Sequence, residues 1–262
     1  MEGREVKMRC FTARESNPFD RGETDMNVVD VRSDLRMVLD SGPGQAYLLR
    51  RGSKVVLVDT GIAGQGDTIA AVLRDWGLDR VSLTHVVLTH WHPDHAGSAA
   101  ELAKWPNTQI WAHRSDALII RGDSYGSFPT LTHTEEEFYA HIAGSIPDAP
   151  PSRVDRELDD NEALDEIGAH VLSTPGHTDG SIALHFPNEA VLFTGDVATR
   201  QQGQVMLGPF NHDRPKARDS FRRFADIDVD VVCFGHGEPL RGDDTAQLRA
   251  AATADEVPDP LG

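Results

Sequence analysis

The sequence predicts a layered α/β fold, and three observations carry that prediction. Short β-branched apolar runs alternate with stretches whose apolar residues recur at helical spacing. Several of those runs end at a histidine or aspartate beside a glycine. The chain, 262 residues with 39% hydrophobic and 26% charged side chains, can bury a sizeable soluble core.

Taken in order, "QAYLLRRGSKVVLVDTG" reads as two strands, about Ala46–Arg50 and Lys54–Asp59, turned around Gly52-Ser53 as a hairpin. "GDTIAAVLRDWG" places Ile69, Val72, Leu73 and Trp76 on one face of a helix. "LTHVVLTH" returns to a β-branched strand ending at His90, "DHAGSAAELAKW" reads as a helix, and "TQIWAH" as another strand. Residues 114–152 mix Gly and Pro with scattered aromatics and one helical stretch near Thr134–Ala143. That is long for a connector, so a lid or cap inserted in a single domain spanning 1–262 is expected. Strands resume in "AHVLSTPGH", "SIALHF" and "AVLFTGD". A helix over Pro215–Ala225 and the strand "DVVCFGH" come next, and the acidic residues after about 253 read as a frayed tail.

The formal net charge of -17 argues against a nucleic-acid partner, which needs a basic face, and against docking on anionic membranes. Two cysteines, Cys10 and Cys233, are too few for a disulfide framework or a four-cysteine zinc site. "MEGREVKMRC" carries charge where a secretory signal needs an apolar run, and no segment nears the ~20 apolar residues that span a bilayer. The expectation is a soluble, cytoplasmic protein, with its oligomeric state unspecified.

The densest chemistry lies in "LTHWHPDHAGS", where His90, His92, Asp94 and His95 crowd a strand end, a turn and a helix start. Pro93 keeps His92 extended and suits the first turn of a helix, so the four side chains can be aimed into one space. Imidazole and carboxylate are the ligands expected for zinc, and they also suit iron or manganese. Downstream, "STPGH", "LFTGD" and "CFGH" deliver His177, Asp196 and His236 at three further strand ends. Glycine beside each permits a sharp turn or a close approach.

With "VDTG" around Asp59, these motifs resemble the metallo-β-lactamase superfamily over about Ala46–His236. The resemblance implies a four-layer αββα sandwich, two mixed β-sheets flanked by helices. It also implies that His90, His92 and His177 hold one metal, that Asp94, His95 and His236 hold a second, and that Asp196 bridges them. Seven ligands exceed what one tetrahedral zinc needs. Two divalent ions, zinc first, roughly 3.5–4 Å apart, would activate a bridging hydroxide and polarise a carbonyl. Asp94 could orient that hydroxide or carry a proton, and Asp59 is a candidate partner for the outer nitrogen of a ligating histidine. The plainer reading of Asp59 is turn chemistry.

Within that family, true β-lactamases carry arginine and cysteine at the positions of His95 and Asp196, or lack the bridging aspartate. Retaining both points to the glyoxalase II and lactonase-like hydrolases, acting on a small thioester, ester or lactone. The persulfide dioxygenases, which use a single iron, are the alternative of another class. For the substrate pocket the candidates are Tyr125, Phe128, Phe210, Asn211 and His212, against a plainer reading as packed or solvated loop residues. Phe138 and Tyr139 pose the same choice, and the Glu135–Glu137 run reads as a solvated helix face. Histidines 85, 170 and 185 read as packed or edge residues, and Cys233 as core.

Overall fold

The structure is a computed structural model that describes residues 28–39, 43–142 and 144–259. Cys10 lies outside the described residues. A first meander comprises β1 (Val28–Arg32), β2 (Leu35–Val38), β3 (Ala46–Arg51) and β4 (Lys54–Val58). Each strand pairs antiparallel with the next, because the connections are short. Three crossovers then carry the chain over the sheet. Helix α1 (Gly66–Asp75) leads to β5 (Leu83–Leu88). Helices α2 (Pro93–Ala96) and α3 (Ala99–Leu102) lead to β6 (Gln109–His113), and α4 (Arg114–Arg121) and α5 (His133–Ile142) to β7 (Arg156–Leu158). The pairs β4–β5, β5–β6 and β6–β7 are accordingly parallel, completing a seven-stranded mixed sheet in chain order.

The second sheet holds β8 (Ala163–Leu164), β9 (Ala169–Ser173), β10 (Ile182–Phe186) and β11 (Val191–Phe193). After the hairpin of β12 (Ala198–Gln201) with β13 (Gln204–Leu207), α6 (Arg214–Arg222) crosses back to β14 (Val231–Cys233). That strand pairs parallel with β11. β15 (Leu240–Arg241) closes the edge, giving the order β15-β14-β11-β10-β9-β8, and α7 (Ala246–Thr253) ends the regular structure.

Burial separates into three apolar layers. Val55 and Leu57 of β4 face α1 and its neighbours, while Val56 and Val58 point the other way, towards the second sheet. This period-2 alternation explains an unbroken apolar run, since both faces of the strand are covered. Tyr47, Trp111, Phe186 and Phe193 fill the space between the sheets, and Phe221, Phe224, Phe234 and Leu248 pack outside the second. The result is the four-layer αββα sandwich. Every strand end that carries a candidate ligand opens on one edge of it.

Four local expectations need correction. The helix expected across 94–105 is two short helices, because Gly97 and Ser98 are held against the 60–65 loop. Ser98 Oγ donates to Ile62 O at 2.6 Å and accepts from Gln65 N at 2.8 Å, and a side chain at Gly97 would strike Ile62 and Ala63. The 114–152 stretch opens with a regular helix, α4, capped by His113 Nδ1 accepting from Ser115 N and closed by left-handed Gly122. The C-terminal tail is packed through residue 259. Val257 is buried, Leu207 N donates to Pro258 O at 2.8 Å, and Asp259 pairs with Arg214 and Arg218. Glu135, expected on a solvated face, is fully buried. It caps α5 reciprocally with Thr132, accepts from Phe210 N at 2.7 Å and meets Arg214 Nη2 at 2.5 Å.

Candidate metal centre

β5 ends at Leu88, and Asp59 fixes the backbone just beyond it. Asp59 leaves β4 with a positive φ of 58°, which aims its carboxylate at the neighbouring strand end. Thr89 N and Thr89 Oγ1 donate to Asp59 Oδ1 and Oδ2 at 2.7 and 2.8 Å. His90 is thereby held in the interior, and His92, extended before Pro93 as expected, stands at the N-cap position of α2 without a side-chain capping bond. The single turn of α2 brings Asp94 and His95 back over His90, with ring centroids of His90 and His95 4.2 Å apart. Gly176, Gly195 and Gly235 then bring His177, Asp196 and His236 in. The clearest case is Gly235, where any Cβ would run into Asp196 Oδ1.

The structure gathers all seven residues. Three groups form, His90–His92–His177, His90–His95–Asp196 and Asp94–His95–His236, each with ligand atoms within 4.8 Å of one another. Asp196 Oδ2 stands between the sets, 3.5 Å from His177 Nε2 and 3.9 Å from His90 Nε2 on one side, 3.1 Å from His236 Nε2 on the other. Asp94 Oδ2 is 3.4 Å from His236 Nε2 and 3.6 Å from His95 Nε2.

These side chains fit metal ions on their own chemistry. His90 Nε2 is buried without a hydrogen-bond partner, a costly arrangement unless something else satisfies it. The outer ring nitrogens are engaged. His177 Nδ1 meets Pro209 O at 3.1 Å, His236 Nδ1 meets Pro43 O at 2.8 Å, and His95 Nδ1 meets Asp59 Oδ2 at 3.0 Å. A carbonyl or carboxylate can only accept, so these rings carry hydrogen on Nδ1 and point Nε2 inward, the orientation a metal ligand needs.

The two sets differ in charge. Burial pushes His90 and His92 well below the ordinary histidine range, neighbouring imidazoles add to this, and burial brings His177 down to about 4. At His236 burial opposes a proton, but Asp196 and Asp94 outweigh it and raise the group to about 10. His95 is likewise raised, against burial, by Asp196, Asp94 and Asp59. Asp94 and Asp196 stay ionised despite burial because protonated His95 and His236 lie beside them.

Of the pocket candidates, His212 sits against the three-histidine set, its ring 6.0 Å from that of His92, with Nε2 buried and unpartnered. Phe210, at a φ of 60°, stacks on Phe138 at 5.5 Å and meets Tyr139 edge-on. Asn211 is fully buried and donates to Gly208 O. The structure does not gather Tyr125 and Phe128 with them, since the two rings are 99% and 86% exposed. His85 packs edge-on against Trp111, and Cys233 is core.

Sequence reasoning missed Trp91 and Asp116. Trp91 lies edge-on to His92 at 4.5 Å, and Gly126 of the 114–152 stretch packs directly on its ring. Asp116 is buried at the start of α4, and burial lifts its carboxyl to about 7 against hydrogen bonds from Thr178, Gly180 and Trp91. The available signal was position, as "WAHRSDAL" is one more strand end with an acidic residue just beyond it.

The chain is similar to several known proteins. An uncharacterized Bacillus subtilis protein, YobT, is 27% identical over 76% of this chain and 85% of its own length. The atrochrysone carboxyl ACP thioesterase dmxR1 of a Cryptosporiopsis species is 26% identical over 61% of this chain and 42% of its own. Among solved structures, TTHA1623 in a di-iron-bound form matches with a TM-score of 0.57 and 27% identity, over 76% of this chain and 89% of that one. The family model described as "Metallo-beta-lactamase superfamily" matches residues 39–236, and the chain belongs to that superfamily.

Proposed function

We propose that the protein is a two-ion metallohydrolase that cleaves a small acyl substrate, a thioester, ester or lactone. The observation that carries this reading is the position of Asp196 Oδ2, within 3.9 Å of ligand nitrogens from both histidine sets. His90, His92 and His177 would hold one ion, Asp94, His95 and His236 the other, with Asp196 shared; zinc fits best, and iron or manganese suit the same donors. Bound there, divalent ions lower the pKa of water towards neutrality and polarise a carbonyl oxygen.

The chain supplies the rest. Asp94, ionised and turned towards the cluster through Oδ2, orients the attacking water, accepts its proton and passes it to the departing oxygen or sulfur. Asp59 keeps His95 in the inward-facing tautomer through the 3.0 Å contact to Nδ1. Trp91 and His212 wall the three-histidine side, and the 114–152 stretch caps it through Gly126 on Trp91 and Thr130 N donating to Asn211 O at 2.9 Å. The overall charge of -17 disfavours nucleic acid or an anionic membrane as partner. The relative named as an ACP thioesterase supports an acyl substrate.

The test is a panel of thioesters, lactones and aryl esters offered to fully metallated protein. Turnover of one class supports the reading. A metallated protein that ignores the whole panel overturns it, and one iron per chain with oxygen uptake on a thiol persulfide would replace it with the dioxygenase chemistry.

A further inference from the structure

We infer that Asp116 is a positioning residue that locks the three-histidine half of the centre, by stapling together the two loops that carry its ligands. This rests on the proposal that His90, His92 and His177 hold an ion. Asp116 is 1% exposed, and both its oxygens are spent on those loops. Oδ2 accepts from Trp91 N at 3.1 Å, the amide between His90 and His92. The same oxygen accepts from Thr178 Oγ1 at 2.8 Å, one residue beyond His177, and Oδ1 accepts from Gly180 N at 2.8 Å.

The two loops leave different sheets, β5 of the first and β9 of the second, so their register is not set by strand pairing between them. Asp116, on a helix of the first layer, is the acceptor they share. The approach is close enough that any side chain at Gly180 would collide with Asp116 Oδ1. Thr178 is held for the contact by Ser181 Oγ, which accepts from Thr178 N at 2.9 Å. The other half of the centre is oriented by different groups, Asp59 on His95 and Pro43 O on His236. Asp116 therefore acts on one ion and not on the other.

All three partners of Asp116 are donors, which makes Asp116→Asn the informative variant. It preserves shape but, whichever way the amide is turned, sets an amide N–H against the backbone N–H of Trp91 or of Gly180. Thr178→Val removes one arm of the staple while leaving the carboxylate in place. Both variants and wild type are titrated with zinc against a chromophoric chelator, and ion occupancy at each half is read from anomalous diffraction at limiting zinc.

The expected result is affinity at the three-histidine half lowered about 10–100-fold in Asp116→Asn, a smaller loss at the same half in Thr178→Val, and the other half unchanged within about threefold. Equal weakening of both halves, or no weakening at either, overturns the inference. If Asp116→Asn does not fold, unchanged occupancy in Thr178→Val overturns it equally. Wild type that binds no ion at the three histidines removes the underlying metal reading instead, so the two failures are told apart.

Discussion

His236 Nε2 lies 3.1 Å from Asp196 Oδ2, an imidazolium against an ionised carboxylate. Asp196 lifts His236 to about 10, while His177, on the other side of the same oxygen, falls to about 4 through burial. The halves of the centre therefore differ in what an incoming cation must displace.

A first prediction concerns protons. Near pH 7 the three-histidine set is neutral and binds an ion without releasing one, whereas an ion entering between Asp94, His95 and His236 expels protons from the histidines. Affinity at that second set should rise with pH between 7 and 9, by up to about tenfold per unit for one proton released. Calorimetric titration in buffers of different ionisation enthalpy counts the protons directly. In the metal-free protein, the raised His236 contributes stability that is complete below its ordinary 6.5 and is lost as pH climbs through about 10.

Asp59→Asn tests the outer contact on His95. Asparagine tolerates the positive φ of 58° found there, so the backbone is preserved while the acceptor pair shared by Thr89 and His95 is damaged. Zinc affinity at the Asp94–His95–His236 set should fall about 10–100-fold with the fold intact by circular dichroism.

Glu135→Ala leaves Arg214 partly buried with only Asp259, and Phe210 N without its acceptor. Because Arg214 keeps Asp259, the main cost is the unsatisfied Phe210 N–H, about 1–3 kcal/mol, which urea denaturation would register. Loss of order at Phe210 should also raise KM for apolar acyl substrates more than it lowers kcat.

Gly235→Ala places a methyl group against Asp196 Oδ1. The expected outcome is a folded protein that retains fewer ions per chain than wild type under the same dialysis. Full retention would mean that Asp196 has room to move.

The fold's layers and the gathering of ligands were legible because each signal is local. His90, His177, Asp196 and His236 come after apolar runs, and the glycines beside the last three admit them to a crowded edge. The illegible features depend on partners remote in sequence. Asp116 acquires meaning only from Trp91, Thr178 and Gly180, and Glu135 only from Phe210 and Arg214, so a buried carboxylate looked like a surface one. The break at Gly97-Ser98 has the same origin, since the 60–65 loop outcompetes helix propensity there. The packed tail through Asp259 answers to Arg214 and Arg218, not to its own composition.

The most direct test of the central claim is to count ions. Metal-free protein titrated with zinc should take up about two ions per chain, and His92→Ala should stay folded, bind about one and lose turnover. A saturating stoichiometry of one ion in wild type, or undiminished turnover in His92→Ala, would contradict the two-ion centre built around Asp196.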